Sequence, residues 1–233
     1  MTEFAYDLFI ILHLLGFVYW LGGDVGVYYS SGFVVNPKYS PETRLIASKI
    51  MMNLDMIPRI CMTLMLTVGG TLASMQGIDH YPGQMVALWI LAPAWLFMVL
   101  YMHFRHGTPL ANKLGPIDFW LRRILIAGIA ISVIYTIFSG RLDDTPWLTT
   151  KVALFAYLIF AGVMIRRHLP GFIVGLQALA KGSINDEENA QMAAGLSGAR
   201  PWVLSIWVVV FLEAVLGVVK PGNELALRFA SFL

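Results

Sequence analysis

Polar and apolar positions in this chain segregate on a scale of about 20 residues, the length an α-helix needs to cross a bilayer. Six apolar runs fall near 4–30, 52–74, 85–104, 119–139, 147–165 and 202–219. The second is expected to begin earlier as an amphipathic helix. Ser40 is a good cap there, Pro41 suits the first turn, and Glu42-Thr43-Arg44 follow. The pattern predicts an all-α fold, a polytopic bundle of six transmembrane helices forming a single membrane domain over 1–233. The longest polar connection covers about 170–200. Its 176–181 half reads as a helix continuing from span five, and 184–189 as the cap of another short helix at the cytoplasmic surface.

The basic residues set the expected orientation. Lys38, Arg44 and Lys49 flank the first connection, and Arg105, Lys113, Arg122 and Arg123 flank the third. Arg166, Arg167, Lys181 and Arg200 flank the fifth. The second, 76–83, has neither Lys nor Arg, and the fourth has only Arg141 beside Asp143 and Asp144. The positive-inside bias places connections one, three and five in the cytoplasm and both termini on the periplasmic (outer) side. An even number of spans requires the same. The expected location is a bacterial-type inner (plasma) membrane. No basic residue precedes the first run and no small-residue cleavage site follows it. That run is therefore expected to be a retained helix rather than a signal peptide.

Composition strengthens this reading. The 233 residues are 58% hydrophobic and 13% charged, with mean hydropathy +0.71, too apolar for a soluble domain. One cysteine, Cys61, excludes an intrachain disulfide. A formal charge of +2 gives no footprint for nucleic acid. Hydrolase triads, Cys-x-x-Cys and His-Glu-x-x-His motifs are missing from the sequence.

Ionisable residues inside spans are costly and point to function. His13 lies about 13 Å along span one. Lys151 is about one turn into span five from the same side, and Glu213 about two turns below the outer end of span six. These three are expected to converge in the outer half of the membrane. Imidazole is a good ligand for iron, copper or zinc, and a deprotonated lysine can also ligate. Packing alone would instead have Lys151 snorkel to the headgroups and His13 hydrogen-bond a neighbouring helix. Deeper lie Asp24, Asp55 and Arg59, the last two four apart and suited to pair with each other. His103 and His106 are three apart, a chelating spacing on a helix, whereas His80 and His168 are expected to be solvated. Met51, Met52, Met56, Met62 and Met65 crowd span two with Cys61. They suit Cu(I) but are also ordinary interface filler.

Four segments share a resemblance. The run 12–23 (Leu-His-Leu-Leu-Gly-Phe-Val-Tyr-Trp-Leu-Gly-Gly) resembles the first helix of the HemJ-type protoporphyrinogen oxidases and their CopD-like relatives. The run 57–70, Trp147-Leu-Thr-Thr-Lys-Val-Ala-Leu, and 211–221 with its Val-Val-Lys-Pro ending are similar to the later helices of that group. Spans one, two, five and six would be the shared core; spans three and four have no counterpart in the short HemJ type. The resemblance implies haem b, with His13 as the matched ligand histidine and Lys151 as the matched lysine, either second ligand or substrate contact. Trp20 and Tyr157 are expected to line the cofactor. Glu213 and Arg59 are expected to act in catalysis, Arg59 on a propionate if it reaches the outer-half site. His103 and His106 remain candidates for a separate metal. The expected activity is that of a membrane oxidoreductase of a porphyrin-like or quinone-type substrate, or of an electron-transfer subunit. The alternatives are copper handling of CopD type and a cofactor-free subunit of a larger membrane complex or homo-oligomer.

Overall fold

In a computed structural model the protein is described over residues 3–222. Those residues form eight helices: α1 (Glu3–Val35), α2 (Pro41–Leu54), α3 (Met56–Met75), α4 (Gln84–Phe104), α5 (Pro109–Ser139), α6 (Pro146–His168), α7 (Pro170–Ala180) and α8 (Asp186–Val219). Six segments, with α2 and α3 counted together, are long and apolar enough to cross a membrane, so the chain is a multi-pass all-α protein. The two chain ends, expected on the outer side, lie outside the described residues. The chain divides into two compact units, 1–118 with 169–197, and 119–168 with 198–233.

In the first unit α1 packs along α2 and α3, and α3 packs on α4. The buried or close-packed positions of α1 are Gly16, Trp20, Gly23, Gly26, Ser30, Ser31 and Val34, mostly three or four apart, which makes one stripe. Its glycines admit side chains of the antiparallel partner: Gly16 meets Met65, Gly23 meets Ile57 and Pro58, and Gly26 meets Leu54. Small residues at such positions let membrane helices approach closely. The hydroxyls of Ser30 and Ser31 donate to the carbonyls of Gly26 and Tyr28, both at 2.7 Å, so they are satisfied within the helix.

Ser40 caps α2, its hydroxyl accepting from the Thr43 N–H, as the sequence predicts. The helix breaks at Asp55 before resuming as α3. Pro58 accounts for this: it has no N–H to donate, and its ring crowds the carbonyl of Leu54, four residues back. Gly77 and Gly83 take left-handed φ values of 81° and 77° in the turn to α4, where a Cβ would be strained.

The polar connection differs from the sequence reading. Span five ends at His168, and 176–180 falls in a separate helix, α7, that starts with Pro170 and is followed by Lys181 as its C-cap. Asn185 and Glu188 form a reciprocal cap: the Glu188 N–H donates to Asn185 Oδ1 at 2.8 Å and the Asn185 N–H to Glu188 Oε2 at 3.0 Å. The capped helix is not short. It runs without interruption through Pro201 to Val219 and contains span six. The end of α1, α7 and the start of α8 bury Val34, Phe172 and Met192 together. Arg44 ties this cluster, its Nε donating to the Val34 carbonyl at 2.7 Å and its Nη2 to Asn189 Oδ1 at 2.8 Å.

In the second unit α6 and the later part of α8 run antiparallel. Phe160 stacks edge-on to Trp202 at 5.7 Å, and Lys220 lies over the Trp147 ring at 5.3 Å. His168 is exposed, as the sequence suggests, and its ring also lies against Gly198, where a Cβ would sit 2.5 Å from its Nδ1.

Candidate functional site

His13 occupies the end of the α1 stripe and faces α3. A Cβ on Gly69 would lie 3.4 Å from His13 Cε1, ordinary contact, so the glycine leaves a shallow notch beside the imidazole. Two turns further along α1, Trp20 is buried. Met65, one turn from Gly69 on α3, rests on Gly16. His13, Gly69, Gly16 and Met65 therefore form one continuous patch of the α1–α3 interface.

Arg59 does not join that patch. Its guanidinium pairs with Asp55, four residues earlier, as the spacing predicts. Ten residues of α3 separate it from Gly69, about 15 Å of helix. Asp24 of α1 lies within the electrostatic reach of both charges, and its Oδ2 is buried without a hydrogen-bond partner.

His103 and His106 do not share a helical face. α4 ends at Phe104, so His106 lies beyond the helix, with its Nδ1 3.1 Å from the His103 carbonyl oxygen. The His103 ring stacks edge-on against Phe104 at 5.0 Å. Among the described residues no three His, Cys, Asp or Glu side chains gather as a metal site. His80 is not loose in its turn either: its Nε2 lies 3.0 Å from the Gly70 carbonyl oxygen.

The second unit joins two of the expected residues. Lys151 Nζ of α6 lies 3.6 Å from Glu213 Oε2 of α8, with both side chains largely buried. One turn beyond Glu213, a Cβ on Gly217 would come within 3.0 Å of Lys151 Nζ, so the glycine clears room for the ammonium. Tyr157 lies further down α6, its ring 6.3 Å from that of Phe160. His13 belongs to the first unit, and Lys151, Glu213 and Tyr157 to the second.

Two arrangements were not foreseen. Trp95 of α4 donates its indole N–H to Asp118 of α5 at 2.8 Å, and both residues are fully buried. A carboxylate at the edge of an apolar run was the available signal. The notches at Gly69 and Gly217 were signalled only by glycine within a span. No family model, curated protein or solved structure matches the chain.

Proposed function

We propose that the protein is a haem-b-binding redox protein of the membrane, with His13 as the iron ligand. The observation that supports this is the imidazole within the first span, set at the α1–α3 interface against Gly69, where a Cβ would lie at 3.4 Å. An ionisable residue inside a span is a functional candidate by default, and neutral imidazole suits haem iron. Haem b, when bound, supplies reversible one-electron chemistry. The chain's own part is to hold the imidazole at the α1–α3 interface and to exclude water from it with lipid and apolar side chains.

The likeness of four spans to the HemJ-type and CopD-like proteins favours the same reading and suggests a porphyrin-like or quinone-type substrate. Copper handling has less behind it. Met65 packs against Gly16, and among the described residues no three His, Cys, Asp or Glu side chains gather as a metal site. The deciding experiment is the reduced-minus-oxidised absorption spectrum of the purified protein, expressed with ample haem, beside that of His13→Ala. A Soret band in wild type that is lost in the variant is expected; no Soret band in wild type refutes the proposal.

A further inference from the structure

Lys151 and Glu213 face each other from α6 and α8 with side chains only 15% and 16% exposed. Their 3.6 Å separation is longer than a charge-assisted hydrogen bond, about 2.7–2.9 Å. The other carboxylate oxygen, Oε1, is buried and accepts no hydrogen bond. An ionised carboxylate has roughly four lone-pair sites to satisfy, and leaving an oxygen without a donor in a place poor in water is costly. Among the described residues, the charges that act on the pair are the two partners themselves and Lys220, which lies over Trp147 at the same end of the unit. Lys220 repels the Lys151 ammonium.

We propose that Glu213 and Lys151 form an intramembrane site that binds and releases one proton. Water at the end of the unit marked by Trp147 and Lys220 supplies the proton, which adds to the orphan oxygen of Glu213. The carboxylate becomes a neutral acid while Lys151 stays an ammonium, and the charge of the pair rises from zero to +1. Release reverses the step and restores the ion pair. The site requires no haem. It stands or falls independently of the role given to His13.

Infrared spectra of the protein in lipid nanodiscs, recorded from about pH 5 to about pH 9, test this. The carbonyl stretch of a protonated carboxylic acid is expected to grow as pH falls and to lose one component in Glu213→Gln. Lys151→Met removes the charge that favours the carboxylate, so it should keep the component and move its midpoint upward by about one pH unit or more. Gly217→Ala, which crowds Nζ, should move it in the same direction by less and covers the case where the bolder variants do not fold. Identical titrations of wild type and every folded variant would overturn the proposal.

Discussion

Gly23 of α1 lies directly against the ring of Pro58 on α3: a Cβ added to the glycine would come within 2.8 Å of Pro58 Cδ. A proline ring near the start of a helix cannot swing aside as a long side chain does. Gly23→Ala is therefore expected to destabilise the α1–α3 pair by about 1–3 kcal/mol. Gly16→Ala meets only the flexible end of Met65 and should cost less. Unfolding in mixed micelles measures the difference; equal losses would count against this account.

The Lys151–Glu213 pair predicts an asymmetry. Truncating either partner strands a largely buried charge and should cost about 3 kcal/mol. Lys151→Met combined with Glu213→Leu removes both charges and should recover most of that loss. A double-mutant cycle on unfolding free energy checks it, and additive single losses would argue against coupling.

Asp118 accepts from the Trp95 indole in a fully buried contact. Asp118→Ala removes this acceptor and is expected to cost about 1–3 kcal/mol. Asp118→Asn keeps an acceptor oxygen at the same place and should retain more stability. Thermal unfolding in detergent compares the two.

Arg44 bridges the Val34 carbonyl at the end of α1 and Asn189 in the first turn of α8. Arg44→Ala should loosen the Val34–Phe172–Met192 cluster and cost about 2–4 kcal/mol, because the carbonyl of Val34 loses a charged donor. Asn189→Ala loses a single contact and should cost about 1 kcal/mol. Hydrogen exchange of α7 amides should rise more in the first variant than in the second.

The notch beside His13 makes a size-dependent prediction for the haem proposal. Gly69→Ala places its Cβ at ordinary contact distance, 3.4 Å from Cε1, and should keep the Soret band. Gly69→Leu fills the notch and should abolish it. Both spectra are read on folded protein, verified by circular dichroism.

Several features were legible in the sequence because they depend on neighbours in the chain. Ser40 and Asn185 cap helices through side chains three residues from their partners, and Asp55 meets Arg59 across one turn. Where the reading missed, longer-range or backbone effects decided. The expected short helix after Asn185 is one long element, since a proline can be carried within a membrane helix whose backbone is otherwise satisfied. The His103–His106 spacing counted on a helix that stops at Phe104.

The number and apolar character of the spans were settled by the sequence alone, because a bilayer demands long unbroken apolar helices. Gly23 against Pro58, His13 against Gly69, and Lys151 against Glu213 are 35 or more residues apart in the chain. Which residues meet there depends on the rotation and register of antiparallel helices. Side-chain volume and missing Cβ atoms fix that register only once the helices are packed.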